Sequence, residues 1–373
     1  MAKAKLSLLE AFDATAPRRG GLKQNPAKPI HEMKIPGAER PLRILGNDKD
    51  FKKIERMLTR IVETSPSSLE NIKCATDAGY TVEFTHVPGA GGECTQDGRF
   101  ITLAPNCDEK DSIFTLLHEM RHAYQFEHGC DEVFGNRNIK SEIMYTRLTE
   151  ADANVASVNG VYEMSKGGDK ISLNDFVRSH YTVVEPFLAE IEKNPDLINK
   201  AKTESLKGFC DGIYVIDFYE KGYITGDMID SYKNDKADKK KYNINVIPKE
   251  AVDLVCHTDN GNYFYGDPDV MGQGKFVQVG EDNKKIWEEY FDWREKQYGL
   301  PKDESFKDLP TRSALTRPWI YYDEKDVTFA LKPDVGIPKR QQIAAERIKS
   351  KKQEQKQPQD AVISKIAQNK GRG

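Results

Sequence analysis

No stretch of the 373 residues approaches the uninterrupted apolar length that a membrane span requires. The N-terminus, MAKAKLSLLEAFDATAP, has two lysines but only a short apolar patch broken by Glu10, which makes a poor secretory signal. A cytoplasmic protein with no membrane partner is therefore expected. No CxxC pair occurs among the six cysteines (Cys74, Cys94, Cys107, Cys130, Cys210, Cys256), so their spacing carries no zinc-ribbon signal. In a chain of this size they read as reduced, mostly buried thiols rather than a disulfide frame. Strong charge of one sign is missing too. A formal net charge of −3 gives no overall attraction to nucleic acid or to an anionic membrane.

What is present suffices for a packed core beside a heavily solvated surface, since 38% of residues are hydrophobic and 31% charged. Residues 1–40, rich in Pro, Gly, Ala and Lys, read as a flexible N-terminal arm. The segment DKDFKKIERMLTRIVETS places Phe51, Ile54, Met57, Leu58, Ile61 and Val62 at helical spacing. YTVEFTHV (80–87) alternates like a half-buried strand, GAGGECTQDG reads as a glycine-rich turn, and RFITLA (99–104) reads as a second strand. The expected unit is helix, β-hairpin, helix.

PNCDEKDSIFTLLHEMRHAYQFEHG then reads as one helix, with Asp108 as N-cap and Gly129 as its C-terminal stop. Ile113, Leu116, Leu117, Met120, Ala123 and Tyr124 form its buried stripe. A further helix is expected over about 141–158, and the chain beyond 170 is mainly helical, with a lysine-rich break at NDKADKKKYN and a helix at NKKIWEEYFDWREKQYG. HTDNGNYFYGDPD (257–269) has oxygen donors but not calcium-loop spacing, so turns are expected there. From Pro338 the chain carries ten Lys and Arg against three Asp and Glu, with no aromatics to stack on bases, and reads as a basic flexible tail.

The chemistry concentrates in TLLHEMRHAYQ (115–125). His118 and His122 are one helical turn apart, about 40° around the axis, so their imidazoles can converge on one ion. Glu119, beside the first histidine, can take a proton from water without itself binding the ion. Two histidines and a water leave one tetrahedral position to fill, so a third protein donor is required. His128 matches one known spacing, but Gln125 stands where that pattern has glycine, and on a continuous helix His128 sits about 9 Å further along. Glu150, in RLTEADANVAS on the next expected helix, is the competing donor, and a carboxylate from a separate helix completes the His₂Glu class of zinc sites. Asn154 follows on the same face. Asp152 lies off that face and is expected to cap, bridge or face solvent.

TLLHEMRHAYQ followed by EADAN resembles the zincin metallopeptidases of the glutamate-third-ligand group, and in layout is similar to ImmA/IrrE-type peptidases and to related uncharacterised metallopeptidase domains. The resemblance spans roughly residues 45–160. It implies an α+β, zincin-like core: a helix, a β-hairpin or small sheet, the HExxH helix and a ligand helix. The implied domains are 41–165 for the peptidase, 166–337 for a mainly helical extension and 338–373 for the tail. It further implies that His118, His122 and Glu150 bind Zn²⁺, that Glu119 is the general base, and that Asn154 orients a ligand. RFITLA, with Ile101 and Leu103, would be the sheet edge along which an extended polypeptide substrate adds as a strand. Two departures stand beside this. No helix-turn-helix or sensor segment is recognisable, and no Tyr, His or Arg falls at a matching oxyanion position, although Tyr145, Arg147, His180 and Tyr181 are candidates. A zincin fold that binds without turnover, a metal-dependent amidase, and a protein or nucleic-acid binder working through the basic tail remain as rivals.

Overall fold

The computed structural model describes residues 28–87, 89–130, 134–234 and 240–313. The N-terminal arm up to residue 27 and the basic tail from 338 fall outside them. The chain is α+β. β1 (Ile30–Met33) and β2 (Leu42–Leu45) pair antiparallel, and α1 (Asp48–Thr64) follows. Asn47 caps α1 by accepting from the amides of Lys49 and Asp50. The predicted apolar stripe of α1 is buried at Ile54, Met57, Leu58 and Ile61. α2 (Pro66–Ala78) starts on a proline, whose missing N–H costs nothing in a first turn, and stops at Gly79, whose φ of 88° suits glycine.

β3 (Thr81–Phe84), β4 (Gly92–Thr95) and β5 (Phe100–Leu103) complete a five-stranded sheet of order β1-β2-β3-β5-β4. Here the sequence expectation needs correction. The 80–87 and 99–104 strands do not form a hairpin; β3 and β5 run parallel, with Thr81 opposite Phe100. The hairpin is β4–β5, closed by Gln96–Arg99 with positive φ at Gly98 and Arg99. The segment expected to be only a turn therefore contains a strand, and all four residues of β3 are buried rather than alternating, as a strand inside a parallel pairing should be.

α3 (Glu109–Glu127) matches its predicted limits. The Asp108 side chain accepts from the Asp111 amide, and the chain turns out at Gly129 with φ 92°. α4 (Ile139–Lys166) is longer than expected and packs along α3. Further helices follow: α5 (Tyr181–Lys193), α6 (Ile198–Phe209), α7 (Ile213–Tyr219), α8 (Gly226–Lys233), α9 (Pro248–Val255) and α10 (Glu281–Tyr298). One turn of π-helix, Glu220–Thr225, joins α7 to α8. HTDNGNYF folds as a small hairpin, His257–Thr258 with Gly261–Asn262, and the short strands Val279–Gly280 and Thr311–Arg312 pair parallel.

The core does not break at the boundary expected near residue 165. One apolar cluster runs from Ile35 in the sheet region to Val277, taking in α3, most of α4, α6 and α9. A second cluster gathers Trp287, Tyr290 and Phe291 of α10 around Ile139 and Ile143, so the first turns of α4 belong to it. α4 is thus held by both cores, a stiff support for any side chain it presents. No helix among the described residues is long and apolar enough to cross a membrane.

Candidate metal centre

α3 carries His118, Glu119 and His122, and α4 carries Glu150. The two histidine rings meet edge to face, with their Nε2 atoms 3.0 Å apart. Glu150 Oε2 lies 3.4 Å from each of those nitrogens. That oxygen is buried and has no hydrogen-bond partner. Buried carboxylate oxygens are normally satisfied, so an orphan facing two imidazole nitrogens calls for a positive group between them. Two nitrogens and one carboxylate oxygen, brought together from two helices, are a donor set of the kind that holds a divalent metal ion and keeps a further position open.

The electrostatics agree. Burial by itself would raise the Glu150 carboxyl, yet His122 and His118 hold it well below the usual carboxylate range. Burial opposes charging His122, but Glu150, Glu119 and the Gln125 hydrogen bond push it up to about 9. The pocket holds positive charge against Glu150, and a divalent cation provides the same compensation without protons.

Glu119 is 5% exposed and has no hydrogen-bond or ion-pair partner among the described residues. Burial pushes its carboxyl up, with His118 and His122 opposing. Its side chain reaches the edge strand. A Cβ on Gly92 of β4 would come within 3.0 Å of Glu119 Oε1, 2.6 Å of Thr115 Cγ2 and 2.8 Å of the Thr102 carbonyl. Only glycine lets β4 lie this close to α3. Glu119, His118 and His122 each offer a donor atom within 4.8 Å of the others.

Other expected residues lie elsewhere. His128 caps α3, its Nδ1 donating to the Tyr124 carbonyl at 2.8 Å and its ring stacked on Tyr124, away from the cluster. The Asn154 amide donates to the Glu150 main-chain carbonyl at 2.9 Å rather than to a side chain of the cluster. Ile101 and Leu103 are on β5, an interior strand, with 0% and 1% exposure. The edge beside the site is β4, because the glycine-rich segment pairs outside β5. Of the oxyanion candidates, Tyr145 lies under the Arg137 guanidinium and Arg147 pairs with Glu220. His180 stands near His118; burial, then His118, push it down to about 4, so it is neutral at pH 7.

Two residues at the site, Gln125 and Tyr219, escape sequence reasoning, while Asp152 takes the bridging role, one of those the sequence allows it. Gln125 Oε1 accepts from His122 Nδ1 at 2.8 Å, while its amide nitrogen donates to Thr149 O at 3.0 Å and Asp152 Oδ2 at 2.7 Å. The amide's orientation is fixed by those two acceptors. The neutral His122 ring therefore keeps its proton on Nδ1 and leaves Nε2 free as a ligand atom. Asp152 bridges, receiving Arg121 Nε at 2.6 Å and the Tyr263 hydroxyl at 2.5 Å as well. Tyr219, at the end of α7, places its phenol against the Glu150 carboxylate; burial, then that carboxylate, push the phenol well above its ordinary value. The only local hint is in Gln125, a long amide one turn after a histidine ligand candidate on the same helix. Replacing it by Ala is expected to weaken divalent-metal binding about 10- to 100-fold in a competition titration against a chelator. Unchanged affinity would show that the His122 tautomer is set by something else.

No curated protein and no solved structure matches the chain significantly. A family described as "Putative metallopeptidase family (DUF6782)" matches residues 40–264, from the second strand of the sheet past α9 and the small hairpin. A metallopeptidase family implies a metal cofactor and hydrolysis of peptide bonds. With well over half of its residues inside that match, including every side chain of the cluster, the chain belongs to this metallopeptidase family.

Proposed function

We propose that the protein is a zinc-dependent peptidase in which His118, His122 and Glu150 hold the ion and Glu119 is the general base. The observation that carries this is the buried, unpartnered Glu150 oxygen 3.4 Å from both imidazole nitrogens. When bound, Zn²⁺ supplies Lewis acidity that acidifies a water and polarises the scissile carbonyl. Glu119 takes the proton of the attacking water and passes it to the leaving amine. Its burial and its lack of a partner suit that task, because a desolvated carboxylate is a stronger base than a solvated one. Gln125 holds His122 in the tautomer that leaves Nε2 free. Tyr219, protonated at neutral pH, is the donor available to the negative charge that develops on the carbonyl oxygen.

An extended polypeptide substrate would add to β4, whose outer edge is unpaired within the sheet and whose Gly92 lies against Glu119. The test is metal analysis together with cleavage of unstructured peptides. About one zinc per chain is expected for the parent protein and for His128→Ala, and substoichiometric zinc with no cleavage for Glu150→Ala. Full zinc content in Glu150→Ala would sink the coordination.

A further inference from the structure

The family match ends at residue 264, but three of the groups that hold the Tyr219 turn, Asn283, Trp287 and Arg312, come from beyond it. Glu220, next to Tyr219 and 2% exposed, is gripped from several directions. Arg312 Nη1 and Nη2 donate to its two carboxylate oxygens at 2.6 Å and 3.0 Å, and Asn283 Nδ2 donates at 2.7 Å. Arg147 pairs with the same carboxylate and stands on α4, three residues before Glu150. Arg312 Nη2 also reaches Asp217 Oδ1 at 3.2 Å, so one guanidinium spans both sides of Tyr219 in the chain. At the far end of the π-turn, the buried Trp287 indole donates to Thr225 Oγ1 at 2.8 Å. Single π-turns inside helical segments recur at functional sites, where the wider turn re-aims a side chain.

Burial makes this cluster costly unless its geometry is kept. Side-chain exposures are 3% for Arg147, 2% for Glu220 and 7% for Arg312. Charges so desolvated must remain paired, which ties the position of the turn to the strand Thr311–Arg312. Asn283 and Trp287, one turn apart on α10, add two further points of attachment.

We propose that Arg312 is a positioning residue of the candidate active site: by clamping Asp217 and Glu220 against Arg147, it fixes the turn that presents Tyr219 to Glu150. The claim rests on the peptidase reading for its catalytic consequence. It makes the segment 279–312, outside the family match, part of the working unit rather than an appendage.

The experiment uses the full chain, with Arg312→Gln, Arg312→Lys, Tyr219→Phe and the Arg312→Gln/Tyr219→Phe double variant. Zinc content, kcat, KM and hydrogen exchange are measured for each. Arg312→Gln is expected to keep its zinc and its KM and to lose between about tenfold and 10²-fold in kcat, the cost of a displaced catalytic group. Arg312→Lys should recover part of that loss. In the Tyr219→Phe background, Arg312→Gln should cost nothing further, because its effect runs through the phenol. Losses that multiply would overturn the proposal. So would faster exchange throughout the sheet, which marks a merely structural role. Should Arg312→Gln fail to fold, Trp287→Phe removes the indole donor to Thr225 while keeping an aromatic ring in the core, and is read by the same double-variant comparison. A parent protein that binds zinc but cleaves nothing defeats the peptidase reading alone. In that case exchange decides the present claim: acceleration confined to 213–226 supports it, and unchanged exchange there rejects it.

Discussion

Glu119→Gln is expected to leave zinc content unchanged while lowering peptide hydrolysis by about 10²- to 10⁴-fold, the usual contribution of a general base. The two side chains are nearly the same size, so the tight approach of β4 at Gly92 is preserved. Glu119 has no hydrogen bond or ion pair among the described residues, so the exchange leaves no other group unpaired. What disappears is the ability to accept a proton. Metal content and kcat measured on the same preparation separate the two roles. Metal retained with activity lost identifies the base; both retained would mean that Glu119 is a spectator.

A second large effect is expected one layer out. Asp152→Ala should destabilise the fold by about 3–5 kcal/mol, the cost of leaving a buried charge without its partner. Arg121 is 3% exposed, and among the described residues Asp152 is its only carboxylate hydrogen-bond partner; it also donates to the Val255 and His257 carbonyls and the Asn71 side-chain oxygen and lies over the Tyr124 ring. Losing Asp152 also frees the Gln125 amide nitrogen from one acceptor and the Tyr263 hydroxyl from its own. Denaturant unfolding measures the first consequence and chelator competition the second, since a loosened Gln125 no longer fixes the His122 tautomer. Replacing Arg121 and Asp152 together by apolar residues should recover much of the stability but not the zinc affinity. Equal stability of Asp152→Ala and the parent would contradict the buried pair.

What the sequence makes legible follows from how local each signal is. His118 and His122 belong to one helix, and their convergence needs only the helical period and the caps at Asp108 and Gly129. Glu150 is legible because it also lies on a strongly helical segment, although its distance from the histidines depends on how α3 and α4 pack. β4 stays hidden because its Gly92 breaks the strand pattern, and that glycine is there for a tertiary reason, the close pass of Thr115 and Thr102. Gln125 reads as a departure from a glycine, yet its part depends on Asp152, on another helix. Tyr219 carries no local mark at all. Its placement comes from Arg312 and α10, far along the chain, so no periodicity around residue 219 could disclose it.

The brevity of β4 bears on how selective such an enzyme can be. Four residues offer an incoming chain only a few ladder bonds, and a charged Glu93 among them discourages edge-to-edge stacking of two copies. Main-chain pairing would align a guest here but could not hold it tightly. Discrimination among polypeptides would then fall to side chains outside the sheet, so related chains could exchange clients by altering those while leaving the sheet and the histidines untouched.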